Sequence, residues 1–164
     1  MKPRKYTGTS DGPAQAKRPG TEQFVREVCA LSGGALWNNG TWVVRNVRGK
    51  DVLSVHATGR AMDLSWRHLG DKGKPNGRKQ ALATIDYLIE HANFLRIEMV
   101  IDYFTQPHGR AWRCDRQAWQ TYERPTVTGA PGGDWFHLEI APMLADDPAG
   151  YKTRFDKLKA KQAL

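Results

Sequence analysis

The residues of this chain best suited to chemistry are His56, Asp63 and His137, with Asp134 three positions ahead of the last. Two imidazoles and a carboxylate make the three-ligand set of a catalytic zinc site, in which a fourth position stays open for water. Such a metal lowers the pKa of bound water towards ~7, which makes a nucleophile available at neutral pH. Asp134 stands where the chain enters a strand, within reach of that water as a general base. An arginine aimed into the same cleft would steady a developing oxyanion. Arg45 is best placed for this on strand parity, with Arg48 behind it.

These side chains need elements that aim them together. Alternate residues of a strand face opposite sides of a sheet. In "AMDLSW", Met62, Leu64 and Trp66 share one face, and Ala61, Asp63 and Ser65 the other. In "DWFHLEI", Phe136, Leu138 and Ile140 share one face, and Trp135, His137 and Glu139 the other. Each strand therefore has an apolar side for a core and a side bearing ionisable groups, and two such strands can build a shared cleft. His56 precedes Asp63 by one tight turn, which the small residues Ala57 and Gly59 allow to close. Ser54 lacks a base and orienting partner of its own, so it reads as a hydrogen-bonding neighbour of the ligands rather than a nucleophile. Glu139 reads either as such a neighbour or as a solvent-facing strand residue.

Taken together, "SVHATGRAMDL" fits Ser-x-His-x-x-Gly-x-Ala-x-Asp through Ser54, His56, Gly59, Ala61 and Asp63. That pattern resembles the zinc D-alanyl-D-alanine carboxypeptidases and L-alanyl-D-glutamate endopeptidases, the VanY-like peptidoglycan peptidases. "DWFHLE" is similar to the closing motif of that family, and the resemblance runs from about Trp42 to Pro142. It implies His56, Asp63 and His137 as zinc ligands, Asp134 as catalytic base and an upstream arginine matched by Arg45. Asp134 stands where many members carry Glu, and Gly132-Gly133 replaces a polar residue ahead of it. "GRAWRCDRQAW" followed by "GGDWFHLEIAP" resembles the peptidase domains of phage endolysins more narrowly. The implied function is hydrolysis of a peptide bond in the peptidoglycan stem, in a monomer made in the cytoplasm without a signal peptide and released to the cell wall by a partner such as a holin. The rival expectation is a non-catalytic, zinc-braced basic module that grips nucleic acid or the wall.

The remaining chain is expected to form an α+β fold, a small antiparallel sheet carrying the cleft and packed against helices. Residues 1–20 are rich in Gly, Pro, Lys and Arg and read as a flexible basic arm, ahead of a single domain over 21–164. Thr21 is expected to cap a helix that Gly33-Gly34 ends, with Phe24, Val25, Val28 and Leu31 as its apolar stripe. "TWVVRNV" predicts a strand, "VLSV" a short second one delivering His56, and "AMDLSW" a third. Residues 70–78 read as a loop. "KQALATIDYLIEHANFL" predicts the clearest helix, with Leu82, Ile85, Leu88, Ile89, Ala92 and Leu95 towards the core. "IEMVIDYF" reads as a buried strand, and the stretch from Thr105 to Gly133 as a long, aromatic, turn-rich connection. Asp147 then caps, and Pro148 opens, a basic helix with Tyr151, Phe155 and Leu158 inward.

With 164 residues the chain has room for one domain with a sizeable core. The net charge of +8 favours a polyanionic partner, which an anionic wall or a nucleic acid would satisfy; the wall is the expected one. No stretch has the ~18 apolar residues of a membrane span. Cys29 and Cys114 show no framework spacing and are expected reduced, Cys29 buried, with one bridge between them as the alternative. His68, His91 and His108 read as ordinary hydrogen-bonded histidines, although the loop of His108 could line the cleft. Trp42 and Trp66 read as core. Trp112, Trp119 and Trp135 read equally as groove lining or as packing.

Overall fold

A computed structural model of the protein describes residues 2–67 and 77–162, and the fold is α+β. Among the described residues one six-stranded antiparallel sheet is formed by β1 (Trp37–Gly40), β2 (Ala61–Ser65), β3 (Ile97–Asp102), β4 (Arg110–Arg113), β5 (Ala118–Thr121) and β6 (Trp135–Ile140). Its order is β1-β2-β6-β3-β4-β5, so β6, the last strand in sequence, lies at the centre between β2 and β3. Register then sorts the two faces. Met62 pairs with Leu138, Leu138 with Val100, and Val100 with Trp112, a continuous apolar row across four strands. One position along, Asp63 pairs with His137, and His137 with Ile101.

Helices α1 (Pro19–Leu31), α2 (Arg78–Glu90), α3 (Ala92–Leu95) and α4 (Pro148–Gln162) complete the core. Phe24 of α1 meets Tyr151 and Phe155 of α4 edge to face, at 4.9 and 5.5 Å between ring centres. Both helices join Met62, Leu64, Phe136 and Leu138 in one buried cluster. Burial of each such side chain is worth ~1.5–3 kcal/mol. Asp147 caps α4 as expected, its Oδ1 accepting from the Gly150 amide at 2.8 Å. The long helix breaks at His91 into α2 and α3. Its inward face is Ala81, Thr84, Ile85, Leu88, Ala92 and Leu95, while Leu82 and Ile89 are only half-buried.

Several expectations are corrected. Thr21 does not cap α1; Pro19 opens that helix, and the Thr21 hydroxyl donates instead to the Gly59 carbonyl at 2.7 Å. Residues 42–47 do not form a strand. Backbone bonds from Val43 to His56, from Ser54 to Arg45 and from Val47 to Val52 amount to one isolated bridge, between Asn46 and Leu53, and Val43, Val44 and Val47 are exposed. "VLSV" leads into a 3-10 turn at Val55–Thr58 rather than a strand. The connection from Thr105 to Gly133 contains the hairpin β4–β5. Cys29 is half-buried, Cys114 is buried, and both are free thiols. Trp42 is half-buried and borders the cleft instead of the core, whereas Trp66 and Trp112 are core. His68 and the loop expected at 70–78 lie outside the described residues, except for Gly77 and Arg78 where α2 begins.

The described part of the segment expected as a flexible arm, residues 2–20, is fastened along the molecule. Arg4 Nε donates to Asn93 Oδ1 at 2.8 Å, and Thr7 donates to Glu98 through both its amide and its hydroxyl. Arg60 is fully buried and grips Asp11 with two bonds of 2.8 Å, with the Gly8 carbonyl as a further acceptor. Charged side chains hold this segment, so its polar composition hid its attachment.

Candidate metal centre

Asp63 on β2 and His137 on β6 face each other directly across the sheet, on the side away from the apolar row. Strand parity puts both on one face of the sheet, and the register of β2 against β6 sets them opposite each other. His56 reaches the same point from the 3-10 turn. Ser54 starts that turn, its hydroxyl accepting from the His56 amide at 3.3 Å, and Gly59 ends it at φ 70°, a left-handed conformation that glycine adopts without strain. The two imidazole rings lie edge to face, 4.9 Å apart.

The hydrogen bonds divide the ring nitrogens into an outer and an inner pair. His56 Nδ1 is 2.7 Å from the Thr41 carbonyl, which can only accept, so the proton of a neutral His56 ring sits on Nδ1 and the Nε2 lone pair is free. That Nε2 is 3.3 Å from Asp63 Oδ2. His137 Nε2 is 3.0 Å from Glu139 Oε1, and its Nδ1 is 2.9 Å from Asp63 Oδ1. The inner nitrogens therefore converge on the two oxygens of one carboxylate, and the ligand atoms all lie within 4.8 Å of one another. The outer nitrogens donate to a carbonyl and a carboxylate, the arrangement that fixes a metal-ligating histidine and raises its basicity. The donor set N, N, O suits a divalent transition ion, and the group could bind one.

Electrostatics agree with a site built for positive charge. Burial works against ionised Asp63, yet the His137 hydrogen bond and the neighbouring His56 ring, in its protonated form, hold its carboxyl well below the usual range. Burial likewise opposes a charge on His137, but its bonds to Asp63 and Glu139 outweigh this and carry it up to about 10. Glu139 is buried, which raises a carboxyl pKa; the His137 contact and the Tyr6 hydroxyl more than offset this and keep it low. The solvent-facing reading of Glu139 is thus excluded.

The centre forms the floor of a cleft of about 890 Å³. Arg45, Arg48, Lys50 and Arg67 stand on its walls, so a basic lip surrounds an acidic floor. Arg45 lines the cleft from a loop rather than a strand, with Nη1 donating to the Asn46 carbonyl at 3.2 Å. Trp135 lines it too, stacked on Tyr103 at 4.9 Å. Asp134 is less committed. Its carbonyl accepts from the Trp66 amide and the Ser65 hydroxyl, and its carboxylate pairs with Arg67 Nε at 3.6 Å. Asp134 does not line the cleft, whereas its partner Arg67 does. Trp119 packs against the core beneath Arg110, and His91 packs on Tyr87.

Sequence reasoning missed Tyr6, Thr41, Arg67 and Tyr103. Thr41 acts through its backbone, and any residue type offers a carbonyl. Tyr103 follows β3 directly, and its phenol is pushed up by burial and by the charges of Asp63 and Glu139. Only its position at the end of a buried strand signalled it. Comparison of the chain with protein-family models, with curated proteins and with solved structures returns no match.

Proposed function

We propose that the chain is a zinc-dependent peptidase that cleaves a peptide bond of the peptidoglycan stem. The observation that carries this is the orientation of His56 and His137. Each has its outer nitrogen engaged, and each turns its inner nitrogen to Asp63 on the floor of an open cleft. A zinc ion held by His56, Asp63 and His137 would supply Lewis acidity and lower the pKa of bound water. The basic lip favours a substrate carrying carboxylates, which stem peptides have, and a net charge of +8 favours an anionic wall. Arg45 is the side chain of choice to face a developing oxyanion, with Arg48 next to it. Asp134 takes and returns the proton once its carboxylate leaves Arg67, a loose pair in which Arg67 is half exposed. Tyr103 and Trp135 form a flat aromatic wall against which a peptide can lie. Release to the wall by a holin-like partner belongs to the same reading.

Incubation with purified muropeptides, followed by mass spectrometry of the products, tests it. Zinc-dependent cleavage that Asp134→Asn abolishes while zinc stays bound is the expected result. Intact muropeptides, together with a function that Asp134→Asn leaves unchanged, would favour the non-catalytic binding module instead.

A further inference from the structure

The metal-centre reading leaves one buried hydrogen bond unused. Glu139 is 4% exposed and has two oxygens to satisfy. One accepts from His137 Nε2 at 3.0 Å; the other accepts from the Tyr6 hydroxyl at 2.7 Å. Tyr6 is 133 positions away in sequence and belongs to the N-terminal segment. A buried carboxylate left with an unpaired oxygen is costly, and the side chain relieves that cost by turning away to find another donor. Such a turn spoils Glu139 as the acceptor that orients His137.

The segment holds Tyr6 in place from both sides. Arg4 bonds Asn93 ahead of it. Thr7 bonds Glu98 at 2.5 Å through its hydroxyl, and Arg60 takes Gly8 and Asp11 behind it. The Arg113 guanidinium lies over the Tyr6 ring, 4.5 Å from its centre, and the hydroxyl is 3.9 Å from Met99 Sδ. The ring is half-buried at the edge of the cleft and presents its hydroxyl to Glu139.

We infer that Tyr6 is a positioning residue of the metal centre, acting through Glu139 on His137, so that the N-terminal segment is a strap that completes the site. This rests on the metal-centre reading, not on the identity of the substrate. Loss of a group that orients a metal-ligating histidine costs ~10–100-fold in affinity. Tyr6 acts one bond further out, so the lower end of that range applies.

The test is titration of zinc, and separately of cobalt(II), into the full chain and its Tyr6→Phe, Glu139→Gln and Thr7→Val variants, with thermal melts of the metal-free proteins alongside. The expected result is about tenfold weaker zinc binding by Tyr6→Phe and a shifted visible spectrum of its cobalt complex. Glu139→Gln should show the same changes more strongly. Thr7→Val loosens the strap but keeps the Tyr6 hydroxyl, so its cobalt spectrum should match the wild type even if it melts earlier. Tyr6→Phe that binds zinc and cobalt as the wild type does overturns the inference and leaves the metal centre standing. Thr7→Val that shifts the spectrum as far as Tyr6→Phe also overturns it, because the Tyr6 hydroxyl, which that variant keeps, would then not be what orients His137. A wild type that binds neither ion removes the metal-centre reading and this inference with it.

Discussion

Two aspartates on neighbouring parts of one sheet have opposite surroundings. Asp102, at the end of β3, has a fully buried side chain. Arg78 grips both of its oxygens at 2.8 and 2.7 Å, and Arg110, the Thr105 hydroxyl and the Phe104 amide add further bonds. Asp63, on β2, has a side chain 22% exposed to the cleft, and among the described residues it pairs with two imidazoles. The partners of Asp102 are permanent cations, so its charge is cancelled for good and its work is to join β3 to α2 and β4. The partners of Asp63 carry exchangeable protons, and their outer nitrogens are anchored elsewhere. A buried carboxylate held by guanidinium groups is part of the fold, whereas one held by anchored histidines can trade protons for a metal ion.

Substitutions should separate the two roles. The largest effect is expected from Asp63→Ala, which removes a ligand and should abolish zinc binding in equilibrium dialysis while the protein stays folded by circular dichroism. Retained stoichiometric binding would erase the distinction. Asp102→Ala should do the reverse. It removes the buried carboxylate that joins Arg78 and Arg110 to the end of β3 and should cost about 3–5 kcal/mol in denaturant unfolding, with one zinc still bound per folded chain. A cost under ~1 kcal/mol, the value of an exposed pair, would mean that Asp102 holds little together.

Glu139→Gln tests whether the anchoring of the imidazole matters. Zinc affinity should fall ~10–100-fold, read by competition with a chelator, and an unchanged affinity would show that His137 needs no outer acceptor. The smallest expected effect is in the acid limb of stability. Burial raises the Asp102 pKa, but the bonds from Arg78 and its neighbours prevail and hold it below its ordinary value. A carboxylate depressed in the folded state adds stability that is full above the unfolded pKa, near ~3.9, and is lost as pH falls through the folded pKa. Unfolding free energy should therefore drop as pH falls below about 4 in the wild type and drop less in Asp102→Asn. Equal slopes would contradict this assignment.

The contrast also explains what the sequence could and could not reveal. Asp63 and His137 were readable because period-two alternation in "AMDLSW" and "DWFHLEI" sets their face before any pairing is known, and the observed register Asp63–His137 follows. His56 was readable from its spacing and the small residues around it, although a 3-10 turn rather than a strand delivers it. The valines of 43–52 misled, since β-branched residues favour strands only where cross-strand and same-face neighbours give them something to pack against. Here most of them are exposed on the wall of the cleft. The β4–β5 hairpin was hidden by four-residue strands and by a turn whose positive φ falls on Gln117 instead of a glycine. Asp102 and Tyr6 were invisible because their partners are distant in sequence, Arg78 24 positions away and Glu139 133. A polar, glycine-rich N-terminus gives no local sign that Arg60 and Glu98 will hold it.

The central claim is that Asp63 and its two histidines form a metal centre. It is tested most directly by measuring zinc bound per chain for the purified protein, by elemental analysis after dialysis against micromolar zinc, beside Asp63→Asn. One zinc per wild-type chain and none in the variant is the predicted result. No zinc in the wild type, or equal zinc in both, would contradict it.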